Sequence, residues 1–513
     1  MCCHHLNRRD FIGLTTGLVA GAGLVANSVL SAGEKALWAS DEWDPDRPFL
    51  VPGNALRIQP VLMYSTSQKR EATSWKSWGG IQTERAASEE ADRISRELKS
   101  LSADADFPLQ VLSIAKVKSV EEARQVRSGD HDVMLVYPAT GSGRVLQACI
   151  SGEGDDVIFV RHRSGPIYYW YEALSVGYLS TGDEESGQDA SASSRGASVY
   201  DVVVDDYQEV LWRLRALYGV KNFVGARIIA LGGAWGKYSP QAVEYAREKH
   251  KIEIIEVSYD DLAERMQNAM ANNALVSTAE KWAERYLSLP NTTLMTDKKF
   301  VTNAFLLYGL FKDLMREYDV SAFTIKNCMS TVLPISETTA CLSLGLLNDE
   351  GLLAFCESDF VVIPSGILLR YISGKPVFLH NSTFPHNGIV TCAHCSAPRR
   401  MDGANYEPTK IMTHYESEYG AAPKVEIPIG QEVTFIDPEY STGRWVGFRG
   451  NVRDNPLYDI CRSQQDVEIQ GNWSQLVKEV RDSHWMMTYG NYLKEAGYAS
   501  RKIGIKWVDI SGT

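Results

Sequence analysis

From about residue 55 onward, strand-like runs alternate with helix-like runs, and this rhythm restricts the chain to a few folds. Residues 56–64 read as a first strand and 83–101 as an amphipathic helix, followed by strands at 110–115, 133–137 and 157–160. Residues 205–218 restart the pattern as a helix. A strand at 226–231, a helix at 239–250, a strand at 252–257 and a helix at 260–271 come next. Strands separated by helices must return in the same direction to pair, so parallel sheets flanked by helices are expected. After about residue 405 the rhythm changes. Short strand-like runs at 410–415, 424–428, 432–436 and 445–451 are separated by turns, with Gly430, Gly443 and Gly450 among the punctuation, which predicts an antiparallel, barrel-like unit. One helix around 473–480 and a short α/β tail close the chain.

A chain of 513 residues holds about three domains at ~150 residues each. The expected class is α/β: two Rossmann-like parallel-sheet domains, at 50–200 and 201–350, followed by a C-terminal domain at 351–513 containing an antiparallel β-barrel. Residues 180–198 are rich in Ser, Gly, Asp and Glu without apolar periodicity, and read as a surface loop. Gly232-Gly233-Ala234-Trp235-Gly236 follows a predicted strand. Its spacing is not that of a dinucleotide-binding loop, so a tight strand-to-helix turn is the better reading.

The net charge of −12 argues against a nucleic-acid partner, which needs a basic face. Asn7-Arg8-Arg9-Asp10-Phe11-Ile12 precedes an uncharged, glycine-containing run to Ala32. This looks like a twin-arginine export signal within residues 1–40, removed on export to the periplasm. The alternative is a membrane anchor, since ~20 apolar residues can span a bilayer. The weak hydrophobicity favours export, without stable membrane insertion once the signal is gone. Of nine cysteines, two lie in this segment and the other seven have no regular spacing, which is not a disulfide framework.

The chemistry-bearing stretch is residues 326–398. It holds Cys341, Leu347-Asn348-Asp349-Glu350-Gly351, Cys356-Glu357-Ser358-Asp359, Gly374-Lys375-Pro376 and His394-Cys395-Ser396-Ala397-Pro398. His484-Trp485-Met486-Met487-Thr488-Tyr489-Gly490 follows much later. The succession resembles the L-fucose isomerase family, with Ser358 standing where that family usually has glycine. The resemblance spans residues 55 to 510 and is strongest after residue 300.

The resemblance implies a metal-dependent aldose–ketose isomerase acting through a cis-enediol on an open-chain sugar. It implies Mn²⁺ or another divalent ion held by Glu337, Asp359 and His484, with Glu337 and Asp359 also moving the proton. A Lewis acid across two substrate oxygens stabilises the enediolate, and carboxylate and imidazole ligands suit such an ion. Read without the resemblance, Glu337 is a dipole partner at a helix start, Asp359 a helix cap and His484 a structural histidine.

His394 is placed by the resemblance at the sugar, while Cys392-Ala393-His394-Cys395 lacks the second ligand pair of a structural zinc site. Trp75-Lys76-Ser77-Trp78-Gly79-Gly80 lies where the first strand hands over to a helix. The resemblance implies a homo-oligomer, a trimer or hexamer, in which Trp78 and Gln82 contact the sugar of a neighbouring copy. A buried tryptophan closing its own domain is the alternative. A different class of function also fits an exported chain with two α/β lobes: a sugar-binding protein without catalysis.

Overall fold

A computed structural model describes residue 38 and residues 42–150, 154–168, 179, 197–439 and 443–512. The proposed export signal, and the loop at 180–198 as far as residue 196, lie outside the described residues.

The first sheet is parallel. It comprises β1 (Leu56–Met63), β2 (Leu109–Val111), β3 (Ala115–Val117), β4 (Val133–Pro138), β5 (Asp155–Val160) and β6 (Val202–Val204). Its order is β2-β1-β4-β5-β6, with β3 also pairing with β1. The expected single strand at 110–115 is therefore two short ones, both paired with β1. The helix Glu84–Asp104 begins where Thr83 Oγ1 accepts the Ala86 N–H, and it buries Ala87, Ala91, Ile94 and Leu98 at helical spacing.

The second parallel sheet uses β7 (Arg227–Leu231) and β8 (Glu253–Val257). A short strand, β9 (Thr292–Leu294), leaves for a separate sheet, and β10 (Ala322–Ile325) and β11 (Leu353–Phe355) complete the order β11-β10-β7-β8. The sheet thus takes β11 from beyond residue 350. The helix Ile363–Ser373, which follows β11, is buried along its whole length and shares one apolar core with the helix Tyr207–Phe223. Gly219 marks a close approach of these helices, since a Cβ there would lie 2.5 Å from Ile372.

The remaining strands are β12 (Phe378–Ser382), β13 (Ile389–His394), β14 (Thr409–Met412), β15 (Ala422–Val425), β16 (Glu432–Glu439), β17 (Arg444–Asp454), β18 (Ser463–Gln470), β19 (His484–Tyr489) and β20 (Lys506–Asp509). Six of them run antiparallel in the order β16-β19-β12-β13-β18-β17, and pairing of β16 with β17 closes the barrel. β20 adds to β17 in parallel. The chain is α/β, with two parallel sheets followed by a closed antiparallel barrel. Of the four strands expected after residue 405, only the last two enter the barrel. β14 pairs instead with β15 on one side and β9 on the other. Phe435, Phe448, Trp485, Phe378 and Met487 fill the barrel core, with the Phe435 and Phe448 rings stacked at 4.5 Å.

Candidate functional site

Three backbone segments meet at the carboxyl ends of the second sheet, where α/β sheets gather ligands. The first is the glycine turn after β7. Gly232 and Gly233 have φ of +80° and +94°, and a Cβ on Gly232 would lie 2.1 Å from the Tyr259 ring. Glycine is required there for conformation and for space. The turn carries Trp235 and Lys237 to the second segment, the corner after β11.

That corner is strained. Glu357 and Ser358 are consecutive non-glycine residues in the left-handed region, at φ +64° and +48°, which costs of order 1–3 kcal/mol each. The glycine usual in the resembling family would relieve this at position 358. Trp235 and Asp359 hold the two segments together as a parallel bridge. Trp235 N–H donates to the Ser358 carbonyl (3.3 Å), Phe360 N–H donates to the Trp235 carbonyl (2.9 Å), and the Trp235 indole N–H donates to the Glu357 carbonyl. Ser358 N–H donates to Thr324 Oγ1 at the end of β10 (3.2 Å).

The third segment is the barrel. His484 begins β19 and His394 ends β13, on strands that both pair with β12. His484 and Asp359 are fully buried, with His484 Nδ1 2.7 Å from Asp359 Oδ2. Asp359 Oδ1 accepts the backbone N–H groups of Lys237 (2.9 Å) and Val361 (3.1 Å). This carboxylate therefore caps its own turn and also orients the imidazole. On the other side of the ring, Lys237 Nζ lies 3.0 Å from His484 Nε2.

Glu357 completes the cluster. Its carboxylate lies 3.4 Å from His484 Nε2, 3.5 Å from Lys237 Nζ and 3.6 Å from His394 Nε2. Burial alone would raise the Glu357 carboxyl. The hydrogen bond and charge of His394, with His484 and Lys237, outweigh it and hold the group well below the usual carboxylate range. His394 Nδ1 is 3.0 Å from Ser396 Oγ, which fixes the ring, and the two imidazoles lie 6.5 Å apart. Glu357 is a third exposed while both histidines are buried, so it is the face the cluster offers to solvent.

The expected site residues divide. Asp359, His484 and His394 come together. Glu337 does not join them: it ends the helix Cys328–Ser336 at φ +50°, and its half-exposed carboxylate pairs with Lys299 Nζ at 2.6 Å. Trp78 and Gln82 lie on the loop that leads into the helix Glu84–Asp104. Trp78 is 71% exposed rather than buried, and Gln82 Nε2 braces its loop by donating to the carbonyls of Ser77 (2.7 Å) and Gly79 (2.9 Å). Two members of the cluster, Glu357 and Lys237, were not singled out from the sequence. Glu357 stood inside the quoted Cys356–Asp359 motif, and Lys237 directly follows the glycine turn.

The donor set for a divalent ion is incomplete. Among the described residues no group of three His, Cys, Asp or Glu side chains is arranged to hold a metal ion. Both Asp359 oxygens are engaged, His484 Nε2 faces an ammonium, and Glu337 is paired elsewhere. The residues as placed do not fit the manganese site that the resemblance implies. The positive charge at this position comes from Lys237.

The seven cysteines among the described residues are free thiols, six of them buried. Cys395 lies against Cys341 and the partly exposed Cys461 in a small apolar cluster. No single helix among the described residues is long and apolar enough to cross a membrane. The chain matches no known family model and no curated protein sequence.

Proposed function

We infer that the chain is a sugar isomerase that interconverts an aldose and a ketose by proton transfer through a cis-enediol. The observation that carries this reading is the opposition of the ionised Glu357 carboxylate and the Lys237 ammonium, 3.5 Å apart, beside an imidazole held by a buried aspartate. Isomerisation removes a proton from the carbon next to a carbonyl and returns one to the neighbouring carbon. It needs a base at the carbon and a positive donor at the oxygen. Glu357 is the base in this reading. A substrate entering between Glu357 and Lys237 separates the carboxylate from its counter-ion and makes it a stronger base where the proton must be taken. Lys237 donates to the carbonyl oxygen and holds the developing enediolate charge. His484, its tautomer set by Asp359, moves a proton between the two substrate oxygens, and His394 positions Glu357.

No step of this reading passes through a metal ion. The exposed Trp78, on a loop braced by Gln82, is the surface through which a neighbouring copy in a trimer or hexamer would complete the pocket. Export to the periplasm by the twin-arginine route is part of the same proposal, and rests on Arg8 and Arg9.

Turnover in heavy water tests it. Aldoses incubated with the protein should yield ketose, with deuterium at the carbon that is reprotonated. Tight, saturable sugar binding without turnover of any aldose would replace the isomerase by a sugar-binding protein.

A further inference from the structure

Beside the cluster, the same three segments form a separate cleft of about 670 Å³, within the range of about 300–1,000 Å³ typical of small-molecule sites. Tyr238 follows Lys237, and Ser483 and Trp485 flank His484. Where the chain enters β19, however, successive side chains face opposite ways, so Ser483 and Trp485 line this cleft while His484 turns to the cluster.

Two aromatic rings lining the cleft are nearly bare: Tyr238 is 85% exposed and Phe384 65%. Tyr238 is held in the left-handed region at φ +59°, a strained conformation for a bulky residue. Two hydroxyls in the wall, Ser382 Oγ and Ser483 Oγ, are buried and have no hydrogen-bond partner among the described residues. Asp482 receives the backbone N–H groups of Ser483 and His484 on Oδ1 (2.6 and 3.2 Å), and no described donor bonds its Oδ2. The guanidinium in the lining, Arg481, is already paired with Glu479 at 3.4 Å.

We propose that this cleft is a second carbohydrate-binding site, taking a neutral oligosaccharide whose rings stack on Tyr238 and Phe384. Ring faces attract the C–H face of a pyranose, while orphan hydroxyls and a carboxylate oxygen take its O–H groups. An anionic ligand is disfavoured, because the lining carries the Asp482 carboxylate, and the guanidinium of Arg481 already has a partner. The volume exceeds what one ring requires, which points to two or more linked units. The proposal is independent of the isomerase reading, since it uses none of the residues that reading assigns.

Isothermal titration of the full chain with cellobiose, maltose and lactose tests it. At least one disaccharide binds saturably, and Tyr238→Ala and Phe384→Ala each weaken that binding about tenfold, while Tyr238→Phe retains it. Glu357→Gln, which disables the other site, leaves the binding unchanged. Circular dichroism establishes that each variant is folded. No saturable binding by any of the three sugars would overturn the proposal, as would equal binding by the alanine variants or loss in Glu357→Gln. Sedimentation in which Tyr238→Ala dissociates an oligomer would also overturn it, by showing that a second copy covers the cleft.

Discussion

Lys237 Nζ lies 3.0 Å from His484 Nε2, although 247 residues separate the two in the chain. That contact places an ammonium where a metal ion would need a ligand lone pair. Lys237→Met is therefore expected to lower kcat for aldose conversion by about 10²–10⁴-fold, the usual worth of a positioned acid. The same variant frees Nε2 and should retain more Mn²⁺ than the parent after dialysis, measured by elemental analysis. Stoichiometric Mn²⁺ in the parent protein would mean that Lys237 withdraws and that the ion takes its place.

Glu357 and Glu337 are separated by a simple comparison. Glu357→Gln removes the carboxylate that three basic side chains surround, and turnover should fall by about 10²–10⁴-fold. Glu337→Gln breaks only a half-exposed, solvent-screened pair with Lys299, and should leave turnover and unfolding midpoint nearly unchanged. Equal loss of activity in both variants would restore Glu337 to the site.

Two buried histidines each take stability away in mild acid. Burial pushes His250 down to about 4 and His380 down to about 3. Both groups are lowered in the fold, so their stabilisation is complete above the unfolded value near 6.5 and is lost as pH falls towards the folded values. Each contributes a slope of about 1.4 kcal/mol per pH unit inside that window. Urea midpoints at about pH 7 and about pH 4.5 measure the slope, and His380→Phe should flatten it. A slope unchanged in that variant would show that His380 is protonated in the fold or finds water.

Export is tested apart from the fold. Replacing Arg8 and Arg9 with Lys should leave the precursor in the cytoplasm, visible by fractionation and immunoblot. Normal export of that variant would exclude the twin-arginine route.

The sequence by itself determined the layers of this protein. Period-two and period-3.6 patterning marked β1, β4, β5, β7 and β8 and the helices between them, because each element must bury one face whatever its neighbours are. Glycines at 232 and 233 announced a tight turn, since both adopt positive φ. The Cys356–Asp359 motif and His484 marked two parts of the cluster. Tertiary structure alone decided which carboxylate faces the histidines. Glu337 and Glu357 are similar in local sequence terms, and the difference lies in what approaches them: Lys299 for one, Lys237 and two barrel histidines for the other. Barrel closure is of the same kind. β14 and β15 carry strand patterning like that of β16 and β17, but strand pairing depends on edges supplied from far along the chain, and periodicity holds no record of partners.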